Sequence, residues 1–254
     1  MRDIRGVVAG ALLLIPPLLC AEETSPRDVE PEVDRVMERA CDQLESAPAF
    51  SVTADISYDD VLESGLKVQY QRYSELLLER PDHLRIDGES DKGSRAILYD
   101  GRTLTVFNSD RNMYVQVPAP DTIDTTLEKL EENGVSVPLD DLMSSEPCAW
   151  LHEDVLEGFY GGRHYLDGDF VHHLLFRAAA ADFQVWVQGG EVPVIRRVVI
   201  EYREKEGMPR YEARLSDWDF RPTIDAGEFA FTPPEGAYRI EFRSANEAGE
   251  GDTP

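Results

Sequence analysis

Three histidines lie close enough in the sequence to suggest a metal site. His164, His172 and His173 flank Asp167-Gly168, a dipeptide that turns hairpins, so His164 can come opposite one of the pair. Imidazole nitrogens suit zinc-like ions, and Asp169 or another carboxylate would complete a loose ligand set. Adjacent residues of a strand point to opposite faces, however, so at most one of His172 and His173 can join His164. The plainer expectation is one buried, hydrogen-bonded ring and one solvated ring, with no metal bound. His152-Glu153 begins like a zinc-protease motif, but Leu156 occupies the place of the second His. That site fails on spacing.

The carboxylates are no more specific. Asp59-Asp60 with Glu63, and Asp140-Asp141, have the residue types of acid/base pairs. In a chain with 50 Asp and Glu against 25 Lys and Arg such pairs arise by chance, and solvated faces are their expected place. The acidic run Asp87–Asp91 lacks the spacing of an EF-hand loop. The sequence contains no G-x-S-x-G elbow, no phosphate-binding loop and no G-x-G-x-x-G after a strand. The expectation is a protein that is not an enzyme, with no catalytic residues, metal or cofactor.

Charge narrows the partners. A formal net charge of −25 opposes sequence-independent nucleic-acid binding, which needs clustered Lys and Arg. It equally opposes electrostatic docking on anionic lipid headgroups. Hydrophobic residues still make up 42% of the chain, too many for a disordered acidic tail, and the length supports a real core.

Residues 1–21 read as an export signal: Arg2 and Arg5 precede the apolar stretch Val7–Leu19, with cleavage expected after Ala21. The lesser alternative makes Cys20 the lipidated first residue of an outer-membrane lipoprotein; Leu19 stands where a small residue is usual. No later stretch is long and apolar enough to span a bilayer as a helix, so the mature chain is expected in the periplasm and not in the membrane. Cys41 and Cys148 either pair in that oxidising compartment or sit as small buried hydrophobes.

The elements follow from periodicity. Residues 22–30 read as a flexible acidic leader. Val33, Val36, Met37, Ala40, Cys41 and Leu44 form the stripe of an amphipathic helix over Glu32–Glu45, with Pro31 at its start. From Phe50 the period is two, and six strands alternate with turns as far as Val117. Residues 118–157 form a helical insert, with Asp121 or Thr122 as a cap and Asn133-Gly134 as a stop. Five more strands and a short sixth end near Phe242, and residues 244–254 carry no apolar pattern and should be disordered. The fold class is mainly β (α+β): about 11–12 strands in a strongly curved antiparallel sheet, a half-open β-barrel around a helical lid. Residues 31–243 form one domain. Twelve strands are too many for a flat open sheet.

Laid in order, FSVTADISYDDVLESGLKVQY, ERPDHLRID, YDGRTLTVFNSDRNMYVQVPAPDTIDTTLEKL, HHLLFR, QVWVQGG, LSDWDF and FTPPEGAYRIEF resemble a bacterial family of predicted periplasmic proteins, a domain of unknown function. That family is similar in fold to the LolA/LolB lipoprotein carriers and the mycobacterial LppX lipoproteins. The resemblance implies a half-open barrel lidded by helices, with an apolar cavity for a lipid or the acyl chain of a lipoprotein. On this reading Tyr58, Tyr70, Leu76, Leu78, Leu104, Val106, Met113, Phe176, Trp186 and Trp218 line the concave face, with Ile123, Leu127, Leu142 and Met143 as the lid. The partner would be a lipid or an acylated protein. The alternative is an envelope interaction module, a scaffold for another envelope protein, whose core is filled by its own side chains.

Overall fold

Alternation over residues 49–118 and again over 155–219 folds into two antiparallel meanders. In the computed structural model, which describes residues 27–135 and 137–241, a short strand β1 (Asp28–Val29) precedes helix α1 (Pro31–Ser46). The first meander comprises β2 (Ala49–Val61), β3 (Lys67–Glu79), β4 (His83–Ser90), β5 (Arg95–Asp100), β6 (Thr103–Asn108) and β7 (Met113–Pro118). Helices α2 (Ile123–Glu132), α3 (Asp140–Met143) and α4 (Ala149–Glu153) follow. The second meander is β8 (Val155–Leu166), β9 (Asp169–Ala178), β10 (Ala181–Gln188), β11 (Val194–Tyr202) and β12 (Arg210–Asp219), and β13 (Tyr238–Arg239) closes the order.

All of these strands share one open sheet in the order β1-β8-β9-β10-β11-β12-β2-β3-β4-β5-β6-β7-β13. The two meanders are fused by β12 pairing antiparallel with β2, with Tyr211 opposite Tyr58 and Leu215 opposite Ala54. Strands β7 and β8, consecutive among the strands, therefore lie near opposite edges. The chain joining them has to cross the sheet, and it does so on the concave face as α2, α3 and α4. The curved, helix-lidded sheet expected from sequence is the fold observed.

The apolar stripe of α1 is buried as spaced: Val33, Val36, Met37, Ala40, Cys41 and Leu44 all lie in the core. They pack beside the inward residues of both meanders, among them Phe50, Ile56, Leu78, Leu84, Leu174 and Leu215. Thr122 caps α2, its hydroxyl accepting from the Thr125 amide at 3.3 Å. Cys41 and Cys148 are joined in a disulfide, which ties α1 to the start of α4.

Three sequence expectations are corrected. The leader 22–30 is not wholly a loose tether. Asp28–Val29 pairs parallel with β8 at Glu157 and Gly158, and the Arg27 guanidinium pairs with Asp34. The missing side chain of Gly158 permits this, since a Cβ there would come within 2.7 Å of Val29. Secondly, the helical insert ends before residue 157, because β8 starts at Val155. Thirdly, the sheet is not antiparallel throughout: β1 and β13 add parallel to its edges. The signal segment 1–21, Cys20 and the tail 244–254 lie outside the described residues. Among the described residues no helix is long and apolar enough to cross a membrane.

The disulfide closes a loop over a sequence separation of 107 residues, so it constrains the unfolded chain strongly. Replacing both cysteines by Ser should lower stability by about 2–4 kcal/mol. Thermal melting with and without reductant measures this, and the variant should melt as the reduced wild type does.

Candidate functional site

The concave face is not evenly filled. Over β2–β6 the helices press close: Leu78, Leu104, Ile123, Leu127, Leu130 and Met143 are buried in one cluster. A void of only about 10 Å³ remains there, bounded by Leu76, Ile86, Leu139 and Leu142 among others. Over β10–β12 the cover is incomplete, and an open cavity of about 650 Å³ lies between the sheet and the segment 137–154. That volume is within the roughly 300–1,000 Å³ usual for small-molecule sites.

Each wall of the cavity has a local cause. The sheet wall is a cross-strand array, with Phe183 opposite Ile200 and Val185 opposite Val198, and Ile200 opposite Tyr211 on the next strand. Their side chains alternate inward with period two. An extra residue on β11 shifts the register between Trp186 and Val187. After it Val198 and Ile200 face the cavity, whereas Val199 joins a separate cluster on the convex face. The turn Ala178–Ala181 forms one end of the cavity; its four small side chains leave space that larger ones would occupy. The lid wall is Val137, Pro138, Leu139, Leu142 and Trp150. Leu139 holds φ at 59°, a left-handed conformation unfavourable for a side chain of this size. It is shared by the large cavity and the small void.

The polar side chains of the cavity are carboxylates and phenols. Asp140, Asp141 and Asp154 line it with Tyr202 and Tyr211, and no Lys, Arg, His, Ser, Thr or Cys does so among the described residues. Burial holds the Asp140 carboxyl above the usual range. Partial desolvation, with the charges of Asp140 and Asp154, raises Asp141 as well, although this residue is exposed to solvent. Burial likewise raises the Tyr202 and Tyr211 phenols. The Tyr211 hydroxyl is shielded from solvent and has no hydrogen-bond partner among the described residues.

Of the residues expected from sequence to meet a ligand, only Leu142 lines this cavity. Leu78, Leu104, Ile123, Leu127, Met143 and Phe176 are packed core, and Leu76 borders the small void. Tyr58, Val106 and Trp218 are half-buried against the core. Tyr58 lies opposite both Tyr211 and Tyr70, with the Tyr58 and Tyr70 ring centroids 5.7 Å apart. Met113 is half-buried at the β7 edge, where it pairs with Tyr238. Trp218 turns inward through a register shift between Ser216 and Asp219, and its indole donates to the Ile195 carbonyl at 2.9 Å.

Trp186 is a correction. It belongs to the convex cluster with Leu166, Val171 and Val199, because its neighbours Val185 and Val187 take the inward positions. Its ring stacks on His173 at 4.3 Å and lies 4.6 Å from the Arg197 guanidinium. His172 and His173 do point to opposite sides. His172 Nδ1 meets the Tyr160 hydroxyl at 2.8 Å, and His173 Nε2 meets Gln184 Oε1 at 2.9 Å. The His164 ring lies 4.4 Å from that of His173. Both adjacent histidines have their pKa lowered, chiefly by burial. No group of three His, Cys, Asp or Glu able to hold a metal occurs among the described residues.

The cavity residues that sequence reasoning missed were legible in part. Phe183, Val185, Ile195 and Ile200 sit on recognised strands, and four consecutive alanines at a turn signal missing bulk. What was absent was any sign of where the lid would fail to reach.

Over residues 33–243 the sequence matches the model of a family described as "Predicted periplasmic protein (DUF2092)". The chain belongs to that family. No functionally curated protein matches it. Among solved structures it is similar to the lipoprotein LppX of Mycobacterium tuberculosis, at 13% identity over 77% of this chain and 100% of that one, with a TM-score of 0.48. It is also similar to LprF of Mycobacterium bovis, at 12% identity over 78% and 97%, with a TM-score of 0.49. A LolA superfamily protein from Nitrosomonas europaea gives 13% identity over 76% and 94%, with a TM-score of 0.36. The cavity of this family member stands on its own geometry.

Two substitutions probe that geometry. Tyr211→Phe removes a buried hydroxyl that lacks a partner and should stabilise the empty protein by about 1 kcal/mol in denaturant titration. Asp141→Asn should raise the melting temperature slightly at neutral pH, the effect being reduced by solvent screening. The sign follows from the raised carboxyl: its charged form opposes folding. The gain is therefore present above the folded-state pKa and fades as the pH falls through it towards the unfolded value, where the wild-type carboxyl is neutral too.

Proposed function

We propose that this protein is a periplasmic carrier that holds the apolar chain of a lipid or of an acylated protein and performs no chemistry on it. The observation that supports this is the open cavity of about 650 Å³ under the lid. A core filled by its own side chains, as an interaction module would have, leaves no such space. The apolar stretch of the sheet wall, Phe183, Val185, Ile195, Val198 and Ile200, disfavours water and favours an alkyl chain. The lining provides no nucleophile paired with a base, which is why binding without catalysis is preferred.

The segment between β7 and β8 serves as the lid in this reading. It forms one wall of the cavity through residues 137–154, it contains the left-handed Leu139, and it is held at one end by the Cys41–Cys148 disulfide. A ligand would enter by displacement of its α3 portion, with α4 fixed by the cross-link.

Protein purified without detergent should release an acyl-containing molecule on organic extraction, detected by mass spectrometry. It should also bind a neutral fluorescent acyl probe in proportion of about one to one. Val185→Trp places bulk in the cavity and should abolish probe binding while leaving the circular dichroism spectrum unchanged. Absence of both a co-purifying ligand and probe binding in the wild type sinks the carrier reading.

A further inference from the structure

We propose that the ligand of this cavity carries an ammonium-type cationic head on a single alkyl or acyl chain; this rests on the carrier reading above. Four aromatic residues, Trp150, Phe183, Tyr202 and Tyr211, share the lining with Asp140, Asp141 and Asp154. Trp150 and Phe183 meet edge to face with centroids 5.0 Å apart. Aromatic faces beside carboxylates are the groups that recognise ammonium ions. The Tyr202 ring already carries one such cation, Lys205 Nζ lying 3.9 Å from its centroid.

The cation placed for an anionic head is Lys205, which lies on the Tyr202 ring outside the lining. No basic residue lines the cavity among the described residues. Arg203, which reaches its Ala178–Ala179 end, is engaged: its guanidinium donates to both carbonyls and pairs with Asp182. The three carboxylates make no ion pair among the described residues. Away from Tyr202 and Tyr211 the sheet wall is apolar, with Phe183, Val185, Ile195, Val198 and Ile200. A chain running along that wall would leave its head among Asp140, Asp141 and the tyrosines. The field of the whole chain, at −25, acts in the same direction.

The test compares dodecylammonium, dodecanol and dodecanoate, each below the concentration at which it aggregates, by isothermal titration calorimetry at neutral pH. Dodecylammonium should bind about tenfold more tightly than dodecanoate, with dodecanol between them. In Asp140→Asn/Asp141→Asn the gap should shrink to about threefold or less, and added salt should shrink it in the wild type. Glu89→Gln/Glu235→Gln removes two exposed charges distant from the cavity and should leave the gap in place, which separates the local site from the general field. Equal binding of the three, tighter binding of dodecanoate, or a gap untouched by the Asp140/Asp141 change overturns this inference and leaves the carrier intact. Binding of none overturns both.

Discussion

The pairing of β12 with β2 decides the architecture. Two meanders, each formed by local hairpins, become one sheet because Tyr211 to Asp219 runs antiparallel to Tyr58 to Ser51. The consequence is geometric: β7 and β8 are sent towards opposite edges, and the chain between them must bridge the concave face. The helices there are placed by connectivity before they are placed by packing. The Cys41–Cys148 bond then fixes one end of the bridge to α1. It leaves the α2–α3 portion to settle against β2–β6, where the inward side chains are large enough to hold it.

That arrangement fills one half of the concavity and leaves the other open. Large residues such as Phe50, Leu78 and Leu84 are fully buried on the filled side, whereas the open side is bounded by Ala178–Ala181 and by valines of β10 and β11. Burial of apolar area is worth roughly 25 cal/mol per Å², so a wall left uncovered is a forfeited stabilisation that a ligand can supply. The acids at its mouth point the same way. Asp140 and Asp141 are held in surroundings that raise their pKa, and stability alone would favour neutral residues there.

Two register shifts illustrate how alternation is edited. An extra residue in β11 sends Val198 and Ile200 inward and Val199 outward. A second shift in β12, where Asp217 takes φ 53°, turns Trp218 to the core face after Leu215. Without the first, the cavity wall would lose its apolar row. Without the second, Trp218 would face away from the core and would not reach Phe50. The opposite faces of the sheet thereby acquire distinct contents: one long core inside, and outside a small cluster in which His173 and Trp186 stack.

What the residues determined by themselves was the set of elements and their inward faces. The α1 stripe, the turn at Asp167-Gly168, and a cap at Asp121 or Thr122 act between neighbours in the chain, and those interactions are short-ranged enough to be read from spacing. The acidic excess is of the same kind, since it describes which residues meet water. Tertiary structure alone decided the rest. Trp186 faces outward although it is large and apolar, because a period-two strand has room for Val185 and Val187 inside and not for their neighbour. Cys41 and Cys148 meet because the bridge over the sheet brings a distant segment back to α1. The cavity lies over β10–β12, beyond most of the residues expected to line it, because its position depends on how far a lid can reach, and that is a property of distances between elements and not of any residue's type.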